Sequence, residues 1–486
     1  EAGQRKGMEM ESKAYDAITY KDLFLSSVDM VYIRKLDIVQ SPGFHASLYL
    51  EAVLDGEQDE NEFHSIGKTM TLMYQSKEGS RPLFYGVIDK ISIEKDGESV
   101  ILYLEAWDST QLMDTERRNR AFQDPQMTPH QIMAEVMQAY PGADYRLNVP
   151  ETPIGQLIVQ YEETDWEFLN RFFSRYQEPL YPNPEFESIR LLAGESPDTE
   201  DWEWDRLPYT LSQNYMELNN RKENGPGDIF AGQNVQYQVE TYDLAYMGNE
   251  ILYKGSLWYV GGVERHLEKG LLVSRYMLRK EEGLKLLPRQ NARLTGISID
   301  GQILACSRDR VQVEMEIDVA GGEAAHYWFP YSTVASSSDG SGWYCMPEKG
   351  ESVRVYFPVS DEKEAYVVTN IKAHTPEQGN PSDPMGNPNV RNIETAQGNQ
   401  VKFTEEGVVI AAGSGQGSIL LKKSGEVILD AIKDISISAG NVINIIAANE
   451  VIMKSQTSIR VVGEQGADVE LKKGKLSFHG MLINEN

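Results

Sequence analysis

Cysteine is almost missing from this chain: 486 residues hold two, Cys306 and Cys345. Neither sits in a CxxC or Cys/His metal spacing, so a disulfide framework is excluded. The expectation is two half-buried thiols in a chain made in a reducing cytoplasm. Long apolar runs are missing too. None approaches the ~18 residues of a membrane-spanning helix. The N-terminal stretch EAGQRKGMEMESKAYD is polar, so no Sec-type signal peptide is expected. Basic residues are scarce: 46 Lys and Arg against 74 Asp and Glu leave a net charge of -28. Such a surface repels phosphate backbones, which argues against nucleic acid as a partner.

Catalytic signatures are equally thin. The histidines make no HxH or HExxH pair. GSGQGS (413–418) lacks the Gly-Lys-Ser/Thr ending of a phosphate loop, and no helix pattern follows it. DWEWDR (201–206) sets acids around Trp202 and Trp204, as sugar sites do. Such alternation more often marks a half-buried strand. Cys306 and Cys345 with His326 carry no orienting signature and read as structural. His479 is the one weak metal candidate, through three copies meeting on a trimer axis. No catalytic residue and no cofactor is expected.

What the chain does have is strand pattern. Residues 14–114 hold YIRKLDIVQ, ASLYLEAVL, TMTLMYQ, LFYGVIDKISIE and SVILYLEAW, which partly alternate and are rich in β-branched and aromatic residues. Asp96-Gly97 is a hairpin signal. This predicts an antiparallel barrel or sandwich as a first β domain. Residues 115–199 predict an α+β insert. Thr128, Pro129 and Gln131 open one helix, and Thr164 with Glu167 opens another. Residues 200–290 return to strands and predict a second β domain. Residues 291–373 show about five short strands with tight turns, which suits an OB-type barrel. Residues 374–392, HTPEQGNPSDPMGNPNVRN, hold four prolines and two glycines and read as a stiff linker.

The sharpest pattern lies in residues 393–486. Ile419, Val427, Ile435, Ile443, Val451 and Ile459 recur every eight residues. Their i+2 partners are Leu421, Leu429, Ile437, Ile445, Met453 and Val461, all apolar. Residues i and i+2 of a strand face one side. Each octad therefore predicts a short strand with two inward side chains, then a polar turn. A single-chain β-helix turn takes roughly twenty residues, so eight are too few. Three chains sharing each turn would make a triangular prism, so the repeat argues for a homotrimer with these twelve residues as its core. A single-chain solenoid and a sandwich with coincidental spacing are the alternatives.

Three stretches resemble the VgrG family, the hub-and-spike proteins of type VI secretion, contractile phage tails and tailocins. In VQYEETDWEFLNRFFSRYQEPLY (159–181) the matching residues are Gln160, Tyr161, Glu163, Thr164, Asp165, Phe168, Leu169 and Arg171. DRVQVEMEI (309–317) with GWYCMPEKGESVRVYFP (342–358) looks like the spike OB domain, through Pro347, Gly350, Glu351, Val353 and Val355. EAYVVTNI (364–371) resembles its closing strand. The early strand departs from the family's more basic pattern, and the linker is long. The resemblance implies a mainly β trimer: two hub β-barrels with an α+β insert, an OB collar and a triple-stranded β-helix needle. It implies docking on the inner tube ring and baseplate proteins, a PAAR-like tip protein or effector, and transient contact with a target membrane. It also implies assembly in the bacterial cytoplasm and delivery within an injection particle. A cell-wall or polysaccharide hydrolase on the same scaffold and a trimeric glycan-binding fibre are the other readings.

The charge is uneven. Residues 1–290 carry -20, residues 291–390 carry -7 and residues 391–486 carry -1. An acidic body is joined to a nearly neutral end.

Overall fold

In the computed structural model, the described residues are 17–26, 28–54, 68–97, 99–194, 196, 199–200, 202–224, 230–319, 325–333, 335–336, 342–343, 345–369, 387, 389–395, 397–463 and 467–480. Most of the expected 374–392 linker lies outside them. The chain divides into two compact units, residues 1–372 and 373–486.

The first unit opens with β1 (Leu23–Leu25), β2 (Met30–Gln40), β3 (Ser47–Leu54), β4 (Thr69–Ser76), β5 (Gly79–Asp96) and β6 (Ser99–Trp107). The insert follows as β7 (Arg117–Phe122), α1 (Pro129–Met137), β8 (Asp144–Leu147), β9 (Ile158–Thr164), α2 (Asp165–Ser174), β10 (Leu180–Pro182) and β11 (Arg190–Ala193). Next come β12 (Thr199–Glu200), β13 (Tyr209–Gln213), α3 (Tyr215–Asn224), β14 (Val235–Thr241), β15 (Glu250–Tyr253), β16 (Ser256–Glu268) and β17 (Leu271–Arg279).

The two hub halves are one sheet rather than two separate barrels. Its order is β1-β4-β5-β6-β3-β2-β16-β17-β14-β13, with β15 and β12 branching from β16. The join is the antiparallel pair β2–β16, with Gln40 opposite Val263 and Asp37 opposite His266. An unpaired edge is a row of unmet hydrogen bonds, and pairing the two halves removes one edge from each. Each half keeps its own core. Leu36, Ile38, Leu50, Leu72, Phe84 and Leu104 pack in the first. Trp204, Val239, Tyr253, Val260, Tyr276 and Leu278 pack in the second.

Both predicted helix starts form. Thr128 caps α1 and Thr164 caps α2, each with a reciprocal bond from Gln131 or Glu167. Helix α3 was not expected. YMELNNRKEN has little apolar periodicity and buries only Leu218 and Arg221. Its overlooked signal is Asn214, whose Oδ1 accepts from the Met216 and Glu217 amides at 3.1 Å.

The last part of this unit holds β18 (Ile297–Ser307), β19 (Arg310–Met315), β20 (Trp328–Pro330), β21 (Ala335–Ser336), β22 (Gly342–Trp343), β23 (Ser352–Phe357) and β24 (Tyr366–Thr369). Five of them form a sheet in the order β20-β19-β18-β23-β24. A parallel bridge from Tyr331 to Val367 closes the two ends. At Gly301 β18 leaves no room for a side chain: a Cβ there would meet the Glu314 carbonyl at 2.6 Å. The expectation of half-buried thiols is corrected: Cys306 and Cys345 are both exposed. Cys306 lies at the end of its strand, where Sγ donates to the Pro347 carbonyl at 3.0 Å.

The second unit contains β25 (Arg391–Glu394), β26 (Gln400–Phe403), β27 (Gly407–Ala412), β28 (Gly417–Lys422) and β29 (Val427–Ala431) as an antiparallel meander. A second meander is β30 (Ser458–Val462), β31 (Asp468–Lys472) and β32 (Lys475–His479). The predicted strands at Ile435–Ile437, Ile443–Ile445 and Val451–Met453 do not form within the chain; residues 432–457 carry no strand. A strand needs a neighbour to take its backbone hydrogen bonds, and one chain supplies none there.

Candidate functional site

The stretch that carried the family resemblance builds a joint between insert, hub and closed sheet. Strand β9 runs into α2 at Thr164, whose Oγ1 accepts from the Glu167 amide at 3.0 Å. The first turn of α2 is fastened by Asp165, which is fully buried. Asp165 accepts from Arg120 Nη1 at 2.6 Å, Gln160 Nε2 at 2.9 Å and Tyr140 Oη at 2.8 Å. A buried carboxylate survives only with such partners. Burial and the bond to Asp165 push the Tyr140 phenol well above its ordinary value.

One turn further, Arg171 forms a fork with Glu163, with Nε–Oε1 and Nη2–Oε2 both 2.7 Å. Its Nη1 reaches Glu362 Oε1 at 3.1 Å, and Arg175 Nη2 holds Glu362 Oε2 at 2.6 Å. Glu362 lies in the turn between β23 and β24. Burial opposes the charge on Arg171, but the two carboxylates outweigh it and hold the guanidinium above its usual range. Phe168 and Leu169 fill the insert core with Phe122, Ile132, Phe172 and Phe173. The Tyr161 carbonyl accepts from Asn291 Nδ2 at 2.7 Å, at the entrance to the closed sheet. The motif residues hold domains in register. Glu362, Asp114 and Arg120 complete the joint without having any sequence signal of their own.

Where strands form, octad residues lie opposite one another within the chain. Ile419 lies opposite Leu429 and Leu421 opposite Val427. Across the other edge, Ile410 lies opposite Ile419 and Val408 opposite Leu421. They make one apolar face, and in the single chain it is uncovered: Ile419 is 37% exposed and Val427 62%. Ile435, Ile437, Ile443, Ile445, Val451 and Met453 are exposed as well. In the last meander Ile459 lies opposite Leu471, and Val461 opposite Val469, continuing to Phe478.

His479 pairs across the strand with Asp468, at 3.0 Å from Nδ1 to Oδ1. Strand alternation puts it on the face opposite Phe478, away from the apolar residues. The joint and the apolar face are therefore the two functional features, and His479 belongs to neither. Among the described residues no group of three or more metal-ligating side chains is present. DWEWDR is a packing corner: Trp204 is buried, stacks on Tyr276 at 4.9 Å and donates to Asp243 at 2.7 Å. Asp205 accepts from the Lys254 amide at 2.6 Å; Asp201 lies outside the described residues. GSGQGS is the turn between β27 and β28.

Residues 46–176 match the phage tail baseplate hub (GPD) family. The match runs from the start of β3 past the end of α2 and spans the 160–171 motif. Among solved structures, the lidless PdpA–VgrG complex has 9% identity and a TM-score of 0.50, covering 82% of this chain and 93% of that one. The half-lidded Francisella complex has 8% identity and a TM-score of 0.50, covering 82% and 83%. The E. coli c3393 protein is described as a type VI secretion component similar to T4 tail proteins gp27 and gp5. It has 13% identity and a TM-score of 0.48, covering 71% of this chain and 98% of that one. No curated protein matches the chain. The hub match and the shared fold support the hub-and-spike resemblance read from the sequence. No helix among the described residues is long and apolar enough to cross a membrane.

Proposed function

We propose that this chain is one subunit of a homotrimeric hub-and-spike in a contractile injection machine. It works as a structural part and carries no catalysis of its own. The observation that carries this reading is one juxtaposition: a baseplate-hub match at 46–176 shares a chain with an uncovered octad face at 408–461. Exposed apolar area of that extent is costly in water, at about 25 cal/mol per Å². Two further copies would cover it.

The parts follow the boundaries read from the sequence. Residues 14–114 and 200–290 form the hub, which docks on the inner tube ring and baseplate proteins; 115–199 is the insert that braces it. Residues 291–373 form an OB-type collar. The strand order and the Tyr331–Val367 closure support that topology. Residues 374–392 link it to the needle, 393–486, which three chains wind into a β-helix. Sheath contraction supplies the work, and a dry Ile/Val core supplies stiffness. A PAAR-like tip protein or effector would cap the needle end. The assembly forms in the bacterial cytoplasm and meets the target membrane only in passing.

The test is the mass of the intact protein in solution. Three times 54.8 kDa is expected. A monomer at working concentrations would overturn the trimer and, with it, the spike.

A further inference from the structure

Four polar groups stand in a row at the contact between hub sheet and insert. Asp108 follows β6, Thr110 and Asp114 lie in the adjoining turn Ser109–Asp114, and His45 precedes β3. Thr110 Oγ1 is hydrogen-bonded to Asp108 Oδ1 on one side. On its other side it lies 2.6 Å from His45 Nδ1. His45 Nε2 is 3.5 Å from Asp114 Oδ2. That nitrogen is sealed from solvent and makes no hydrogen bond. Asp114 accepts the Thr164 hydroxyl at 2.5 Å, so the row ends on the cap of α2.

The row has three gaps to fill with hydrogens. With both carboxylates ionised and the imidazole neutral, only two hydrogens are available: the Thr110 hydroxyl and one ring N–H. If Thr110 donates to Asp108, His45 donates through Nδ1, and its Nε2 lone pair faces the Asp114 carboxylate. If His45 donates through Nε2, either Thr110 donates to Nδ1 and lone pairs meet at Asp108, or Thr110 donates to Asp108 and lone pairs meet across the 2.6 Å gap to Nδ1. One link is always open. A third hydrogen closes all three. Burial pushes the Asp108 carboxyl up to about 6 and holds the His45 imidazole below its ordinary range. An imidazolium would close the row as well, but burial works against that charge and for a neutral Asp108 carboxyl, so the extra proton is assigned to Asp108. Asp108 then donates to Thr110, Thr110 to Nδ1, and Nε2–H to Asp114.

We propose that Asp108, Thr110, His45 and Asp114 form a one-proton switch, closing the His45–Asp114 link between hub sheet and insert when protonated and opening it when the proton leaves. Asp108 also accepts the Ala46 amide at 2.8 Å and the Thr110 amide at 2.9 Å, which favour its ionised form, while burial opposes it more strongly. Trp166 of α2 stacks on the imidazole at 4.5 Å. The other charged groups lining the same cavity are Glu163, Glu167, Arg171, Arg289 and Arg293. Glu163 is paired with Arg171, and Glu167 with Arg293. The two titrations act in opposite senses. Asp108, raised on folding, contributes stability below the ordinary carboxylate range and loses it as pH rises through about 6. His45, lowered on folding, contributes above the ordinary imidazole range and loses it as pH falls. A comparison with Asp108→Asn isolates the first.

The test is nitrogen-15 spectroscopy of the histidine-labelled full-length protein at about pH 5 and about pH 8, on either side of the ordinary imidazole range. His45→Gln assigns the signal. A neutral Nε2–H ring at the lower pH and a neutral Nδ1–H ring at the higher one are expected. One tautomer at both, or an imidazolium at the lower pH, would overturn the switch. In parallel, the wild type is expected to lose melting temperature relative to Asp108→Asn between these pH values. Parallel profiles would overturn it as well, and if the variant fails to fold, the wild-type spectra alone decide.

Discussion

The two units use the same kind of strand and treat it in opposite ways. In β3 the alternate residues Leu48, Leu50, Ala52 and Leu54 are at most 2% exposed, because the rest of the hub covers them. In β28 the alternate residues Ile419 and Leu421 are 37% and 41% exposed. Ala411 is the one buried apolar side chain among the described residues of the second unit. Both patterns place apolar side chains on one face. The difference lies in what the chain can bring to that face. A unit of over three hundred residues folds back on itself; an eight-residue repeat returns too soon to enclose its own stripe. The first unit encloses its apolar faces, and the described residues of the second leave theirs exposed.

Ile419→Asp is the largest test of that contrast. Three carboxylates in the proposed trimer core would cost about 3 kcal/mol each, a total of about 9 kcal/mol. Native mass is expected to fall from trimer to monomer while hub melting holds. A trimer with unchanged melting would show that the octads do not face inward. Arg171→Met attacks the other unit. It leaves Glu163 and Glu362 buried without their shared cation, at a cost of about 3–5 kcal/mol. Calorimetry is expected to show the hub transition dropping and the needle transition unmoved. Thr128→Ala removes one cap of α1 and is expected to cost about 1 kcal/mol, read as a small fall in the hub denaturation midpoint. His479→Ala is the smallest change. Its ring is exposed and Asp468 keeps Arg460 as a partner, so a shift of about 1 kcal/mol or less and an unchanged metal content are expected. Loss of a bound metal would restore His479 to the axis.

The helix starts at Thr128 and Thr164 were legible because capping is local: the partners lie three residues apart. The hub strands were legible because burial on one face writes alternation into the chain. The 160–171 motif could be seen, but its purpose could not. Arg171 finds Glu362, which lies 191 positions on, and no local pattern marks that carboxylate. Helix α3 escaped because its segment has little apolar periodicity and its main anchor, Arg221 to the Gly283 carbonyl at 2.9 Å, lies outside that segment. The exposure of Cys306 escaped for a similar reason: strand position predicts burial, while the end of a strand does not receive it.

By itself the sequence determined the periodicities: two residues for the hub strands, eight for the C-terminal repeat, and the caps that start the helices. These depend on neighbours within a few bonds, where covalent geometry dictates which side chains share a face. Tertiary structure alone decided that the hub halves join through β2 and β16, that Arg171 bridges to Glu362, and that His45 stands between two aspartates. Each of these brings together residues far apart in the chain, and only the completed packing determines which distant groups meet.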